Sequence, residues 1–204
     1  AALDFLNGSP VISESSTKKR ASLHLVKGRE GLEPFDRGGL EAADAPLVAF
    51  VSRIREENHT LKRTLTDQRI LSGIGNAYSD EILHRARLSP FALTEHITDD
   101  EAARLYAATR QVLADWTHRV REAAGEGFPH ETRNLRRAMS VHGRFGEPCP
   151  VCGTEVQRIR YAKRETNYCP RCQTEGRVLA DRALSRLLKE DWPRTIEELE
   201  HRGI

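Results

Sequence analysis

The stretch CPVCGTEVQRIRYAKRETNYCPRC, residues 149–172, holds all four cysteines of the chain. Cys149-x2-Cys152, sixteen intervening residues and Cys169-x2-Cys172 constrain the fold more than any other feature. Two Cys-x-x-Cys knuckles at this separation fit the window for a tetrahedral four-thiolate zinc site. The insert is long enough for a β-hairpin that returns the second pair to the first. Thr154 to Tyr161 reads as the outgoing strand, Ala162 to Thr166 as the turn, and Asn167 to Cys169 as the return. Two other readings compete. Disulfides require an oxidising compartment, and Ala1-Ala2-Leu3-Asp4 lacks the basic start and apolar stretch of an export signal. A redox Cys-x-x-Cys sits beside a βαβ pattern, which is absent. Cys149, Cys152, Cys169 and Cys172 are therefore expected to hold one zinc ion. Four thiolates close its shell and leave no position for water, so its role is structural.

The charge distribution points the same way. The formal net charge of the 204 residues is only +2. From Arg133 to Arg177, however, ten Lys/Arg stand against four Glu, while residues 178–204 carry five basic and six acidic side chains. The positive charge collects around the cysteines, where it outweighs the −2 of a zinc tetrathiolate and leaves a face suited to phosphates. Apolar runs are only a few residues long, so no segment spans a bilayer. The expected setting is the cytoplasm, in association with the nucleoid. The chain does not begin with Met, which reads as processing or as a piece of something longer.

Residues 44–125 read as mainly helical. Leu47, Phe50, Val51 and Ile54 recur at helical spacing after Pro46, and Leu61 and Leu65 share a short face. Thr98-Asp99-Asp100-Glu101 is a capping box ahead of a long helix carrying Leu105, Val112, Leu113, Trp116 and Val120, closed by Gly125. Between them lies SGIGNAYSDE, residues 72–81. Gly73 and Gly75 permit close backbone approach, and a helix opening at Asn76 and ending at Ser89-Pro90 presents free N–H groups to an anion. It is neither a Walker loop nor a dinucleotide fingerprint. Taken alone, the pattern is weak, and a simple tight turn between helices is the default reading.

Two motifs in fixed order, SGIGNAYSDEILHRARLSP and VHGRFGEPCPVCGTEVQRIRYAKRETNYCPRCQ, resemble the helix–two-turn–helix and zinc-finger region of the formamidopyrimidine-DNA glycosylase/endonuclease VIII family. The resemblance covers about residues 45–175. It implies an α+β chain: a mainly helical helix–two-turn–helix domain, then a four-cysteine zinc-finger β-hairpin, preceded by remnant strands of a β-sandwich. The expected divisions are 1–27 for the remnant strands, 28–43 for a linker, 44–140 for the helical domain, 141–177 for the finger and 178–204 for a helical extension. The family's phosphate-binding Asn matches Asn76, and its finger Arg matches Arg164. Lys163, Arg160, Lys62 and Arg63 are candidate further DNA contacts. Lys18 and Lys19, in STKKR, stand where the family has a basic loop, with Arg20 where an aromatic wedge is often found. Tyr78 is expected in the core and Glu81 around the Asn76 turn. Gly125 to Met139 matches the segment whose loop helps build the family's base pocket, and it reads equally as a flexible lid or an ordinary linker. The eight histidines show no ligand-like clustering.

The family's catalytic group is an N-terminal proline whose secondary amine attacks the sugar, assisted by an adjacent glutamate. This chain begins Ala1-Ala2-Leu3, so no catalytic residue is assigned. The expected function is the DNA-clamping half of a base-excision glycosylase/AP lyase, monomeric and without membrane contact, which binds double-stranded DNA bearing a damaged base or abasic site but does not cut it. A naturally non-catalytic zinc-containing DNA-binding protein is the alternative. A zinc-structured protein–protein module is a third, against which the basic finger argues. Leu3 to Leu6, Val11-Ile12 and Ala21 to Val26 read as the remnant strands. Leu179 to Leu188 and Thr195 to Glu200 read as two helices, anchored by Trp192 on the helical domain.

Overall fold

Helix α1 (Leu47–Arg55) follows Pro46, and α2 (Leu61–Thr66) is capped by the Thr60 hydroxyl, which accepts from the Arg63 N–H. Their apolar faces bury Phe50, Ile54, Leu61 and Leu65 completely. Each such side chain contributes on the order of 2 kcal/mol from apolar burial. The architecture comes from a computed structural model, which describes residues 2–14, 17, 21–125, 138–161, 164–180 and 193–202. Side chains of residues 161, 164, 199, 200 and 202 lie outside that description.

Strand β1 (Leu40–Glu41) pairs in parallel with β2 (Leu71–Ser72), in the register Leu40↔Leu71. Gly39 allows this approach, because a Cβ there would lie 2.3 Å from the Gln68 carbonyl oxygen. Ala42 is fully buried in the helical core. Ala42 lies in the stretch expected as a linker, which packs on the helices at this point.

Helix α3 (Asn76–Ala86) and the 26-residue α4 (Asp99–Ala124) form the main helix pair. The capping box is present: Thr98 Oγ1 accepts from the Glu101 N–H, and a Glu101 carboxylate oxygen accepts from the Thr98 N–H. On α4, Leu105, Val112 and Trp116 are buried, in one core with Ile82, Leu83 and Ala86 of α3. Tyr78 is half-buried with its ring 5.8 Å from that of Trp116. Helix α3 stops at Ala86, earlier than Ser89-Pro90. Arg87 turns left-handed at φ 55, its N–H caps the His84 and Leu83 carbonyls, and the Leu88 N–H also bonds back to Leu83.

The finger hairpin consists of β3 (Gln157–Tyr161) and β4 (Arg164–Tyr168), antiparallel with Gln157↔Tyr168 and Tyr161↔Arg164 opposed. Only two residues separate the strands, so the return begins at Arg164 rather than Asn167. A two-residue connection is the tightest hairpin closure, and it draws residues expected in the turn into the ladder. Helix α5 (Pro170–Thr174) follows with proline at its first position. Val141 and Val156 pack with Cys149 and Cys169 in a second, small core.

At the N-terminus, Ala2↔Val11 and Phe5↔Gly8 bridges form a short hairpin, but Ala21 to Val26 makes no strand. That segment has no ladder partner among the described residues, and the Ala21 N–H bonds the Glu14 carboxylate instead. Leu3, Phe5, Leu6, Val11, Leu23 and Leu25 are exposed. At the other end, α6 (Ile196–Arg202) forms after Thr195. Its start is tied to the end of the finger: the Ile196 N–H bonds the Gly176 carbonyl and Arg177 bridges Thr195. The other expected helix, with Trp192, lies outside the described residues apart from its first positions. No described helix is long and apolar enough to cross a membrane.

Candidate nucleic-acid interface and metal centre

The cysteine cluster is shaped by local backbone bonds. The Cys149 N–H donates to the Thr154 carbonyl and the Gly153 N–H to that of Cys149, both at 2.9 Å, with Gly153 left-handed at φ 78. In the second knuckle, Gln173 Oε1 accepts from the Cys169 N–H at 2.9 Å. Cys149 and Cys172 Sγ are 4.0 Å apart, Cys152 and Cys169 Sγ 3.4 Å, and all four sulfurs lie within 4.8 Å of one another. A tetrahedral shell with zinc–sulfur bonds of about 2.3 Å needs sulfur separations of about 3.8 Å. The four cysteines therefore fit one structural zinc ion. Their protonation chemistry agrees. Burial pushes the Cys172 thiol up to about 12 and raises Cys169 as well. Burial also opposes ionisation of Cys152, but hydrogen bonds from the Thr154 side chain and backbone, with those of neighbouring thiols, draw it down to about 6. Burial thus opposes ionisation of Cys169 and Cys172, and a dication removes that obstacle.

The glycine turn meets the hairpin at a groove of about 770 Å3, lined among others by Arg63, Gly75, Asn76, Phe91, Ile159 and Arg160. Gly73 takes φ +82, where a side chain would be strained. Gln68 staples the turn: its Nε2 donates to the Ile74 carbonyl at 2.8 Å and its Oε1 accepts from the Gly73 N–H at 3.0 Å. The first backbone bond of α3 runs from the Ser79 N–H to the Gly75 carbonyl. The N–H groups of Asn76 to Tyr78 thus have no intrahelical partner. Asn76 Nδ2 donates to the Glu165 carbonyl at 2.8 Å, a bond between positions 89 apart.

Asn76, Arg63 and Arg160 thus come together at one groove. Arg63 is exposed on α2, and Arg160 Nε lies 3.3 Å from Glu165 Oε2. Arg164 opens β4 beside Glu165, and its side chain lies outside the described residues, as do Lys18, Lys19, Arg20, Lys163 and the body of the expected lid, residues 126–137. Lys62 requires correction as a DNA contact. Although it lines the groove, its Nζ is turned inward onto Asp80 Oδ1 at 2.5 Å, Ser79 Oγ at 2.7 Å and the Asn76 carbonyl at 2.8 Å. A buried ammonium so partnered braces the turn from behind.

Three positions escape motif reading. Besides Gln68, they are the buried Asp80 and His84 of α3. Asp80 Oδ2 accepts from the Asn167 N–H at 3.2 Å and bonds His142 Nδ1 at 2.7 Å. Glu81 does not order the Asn76 turn; its carboxylate accepts the N–H groups of Ser140, Val141 and His142 at 2.7–3.0 Å. His84 is buried with Nε2 3.3 Å from Cys149 Sγ, and burial pushes its pKa below the usual histidine value. The available signal was three ionisable residues on a helix that also carries Ile82 and Leu83.

Residues 34–121 match the formamidopyrimidine-DNA glycosylase H2TH domain, and residues 146–174 the zinc finger found in FPG and IleRS. An uncharacterized formamidopyrimidine-DNA glycosylase-like protein of Mycobacterium tuberculosis is 41% identical over 151 residues, 74% of this chain and 94% of that protein. The chain belongs to the formamidopyrimidine-DNA glycosylase family. A Thermus thermophilus formamidopyrimidine-DNA glycosylase is 43% identical over 138 residues, 62% of this chain and 49% of the enzyme. The chain therefore spans about half the length of such glycosylases. Among solved structures, the MutM (Fpg) protein from Thermus thermophilus superposes with TM-score 0.58 at 38% identity, over 66% of this chain and 53% of that one. The Lactococcus lactis Fpg, solved in complex with abasic-site DNA, gives TM-score 0.61 at 25% identity, over 72% and 56%.

Proposed function

We propose that this chain is the DNA-clamping half of a base-excision glycosylase with AP lyase chemistry, and that alone it grips duplex DNA at a damaged base or abasic site without cutting it. The carrying observation is the Asn76 Nδ2–Glu165 carbonyl bond of 2.8 Å, which joins the glycine turn to the finger hairpin at one groove. A side-chain amide nitrogen carries two hydrogens. One serves Glu165, and the other is directed to a phosphate oxygen, beside N–H groups at the positive end of α3. Arg164, next to Glu165, is assigned the second phosphate by a forked guanidinium contact. Arg63 and Arg160 extend the basic lining, and Lys163, Lys18 and Lys19 are further contacts in this reading. Holding the backbone on both sides of a nucleotide is what base eversion requires. The zinc supplies rigidity to the hairpin, and Cys149, Cys152, Cys169 and Cys172 hold it. Residues 44–140 and 141–177 are the two jaws.

Glycosidic cleavage and β-elimination would require an amine nucleophile that is not assigned to any residue here. A second reading, a clamp that acts without a nucleophile, is favoured by the Mycobacterium tuberculosis relative, 94% of which is matched. The test is fluorescence anisotropy on a duplex with one abasic site across a salt series, paired with borohydride trapping. Steeply salt-dependent binding without an adduct is expected. Asn76→Ala should weaken binding, and Arg164→Ala should lower the log–log salt slope by about one. Salt-independent or absent binding would overturn the clamp, and a trapped adduct would overturn the assignment of inactivity.

A further inference from the structure

His84 lies eight residues beyond Asn76 on α3, just over two turns along the same helix. It is only 6% exposed, and its Nε2 is 3.3 Å from the sulfur of Cys149, a residue of the other jaw 65 positions away. A thiolate bound to zinc can only accept a hydrogen bond, so the imidazole nitrogen facing it must carry the hydrogen. The other donors to the cluster are local to the finger: Thr154 bonds Cys152 through its side chain and backbone, and the Cys172 backbone bonds Cys169. Among the described residues, His84 is the donor that reaches the sulfurs from the helical unit. Zinc with four thiolates carries two net negative charges, and each N–H or O–H donor draws charge off a sulfur and fixes its direction.

We propose that His84 is an outer-sphere ligand of the zinc centre, whose Nε2–H holds the Cys149 thiolate and ties the metal to the helix that begins at Asn76. It is a positioning residue. The bond completes the donor set around the sulfurs, and it makes metal retention depend on the docking of the finger against α3. The inference rests on the zinc site and not on the DNA clamp.

The test uses the full zinc-loaded chain, without DNA, in competition with a metallochromic chelator, and the cobalt-substituted chain for its sulfur-to-cobalt charge-transfer bands. His84→Leu, which removes the donor, should weaken zinc binding about tenfold or more and shift those bands. His84→Gln, whose amide nitrogen keeps a donor near the same place, should stay within about threefold of the native chain. Native zinc affinity and unmoved bands in His84→Leu would overturn the proposal. So would equal losses in both variants, since ring shape rather than the N–H would then be the cause. Should His84→Leu not fold, His84→Gln decides alone: affinity near native supports the donor role, and a tenfold loss overturns it.

Discussion

Asp80→Ala removes the carboxylate on which three chain segments converge. Asp80 is fully buried, with one oxygen 2.5 Å from Lys62 Nζ and the other 2.7 Å from His142 Nδ1 and 3.2 Å from the Asn167 N–H. The Lys62 side chain is itself only 11% exposed. Once the carboxylate is gone, the ammonium keeps the Ser79 hydroxyl and the Asn76 carbonyl but loses the counter-charge of Asp80. Removing one member of a buried ion pair costs about 3–5 kcal/mol. Against a domain stability of about 5–15 kcal/mol, that is a large share. The cost arises mainly from the buried ammonium losing Asp80, which sets up a second comparison. Lys62→Met/Asp80→Ala removes that charge and should recover about 1–3 kcal/mol relative to Asp80→Ala. The assay is urea unfolding followed by circular dichroism, at constant free zinc so that metal linkage is the same for all variants. A loss below about 1 kcal/mol for Asp80→Ala, or a double variant no more stable than Asp80→Ala, would refute the reasoning.

Glu81→Ala strands the N–H groups of residues 140–142 and should cost about 2–4 kcal/mol, read by the same unfolding assay. Zinc removal by a chelator should melt residues 141–177 while the helical core persists, because Val141 and Val156 are, among the described residues, the two non-cysteine members of the buried cluster around the sulfurs. Residue-resolved NMR, with finger signals collapsing and α1–α4 signals retained, checks this. Asp67 is held well below the usual carboxylate range, first by the side-chain hydrogen bond from Arg69 and then by that residue's backbone N–H. Its contribution is present above the ordinary carboxylate pKa near 3.8 and is lost as pH falls toward the lower folded value. Asp67→Asn should therefore flatten the acid limb of the Tm–pH curve, while Tm profiles that fall in parallel below pH 3.8 would deny Asp67 that role.

The zinc ligands and the α4 capping box were legible because each depends on local spacing: two residues between paired cysteines, and two between Thr98 and Glu101. The helical faces were legible for the same reason, down to the burial of Phe50, Ile54, Leu105, Val112 and Trp116. Lys62 was not legible. From the sequence it is one more cation on a short helix, and only the tertiary approach of α3 converts it into a buried partner of Asp80. The end of α3 was missed because Arg87, a residue with no special turn propensity, adopts the left-handed cap that the Leu83 carbonyl rewards. Docking of the C-terminal segment on the finger likewise rests on backbone bonds at Gly176 and Val178, which leave no periodic trace.

Helix α3 joins the helical unit to the finger. Asn76, Asp80 and His84 are spaced four apart, and Glu81 is adjacent, which puts them along one stripe of a helix with 3.6 residues per turn. That stripe meets the finger at every level: Asn76 at Glu165, Asp80 at Asn167 and His142, Glu81 at residues 140–142, His84 at Cys149. A helix side bearing amide, carboxylates and imidazole ordinarily faces water. Here Asp80, Glu81 and His84 are all buried, while Ile82, Leu83 and Ala86 join α4 in the main core. Polar contacts give this interface a direction that apolar packing lacks, since each carboxylate oxygen and N–H must find its own partner. A finger displaced by one residue would strand several of them at about 1–3 kcal/mol each. The register of the hairpin against the glycine turn is thereby set by one helix, and with it the spacing between the two sites assigned to phosphate.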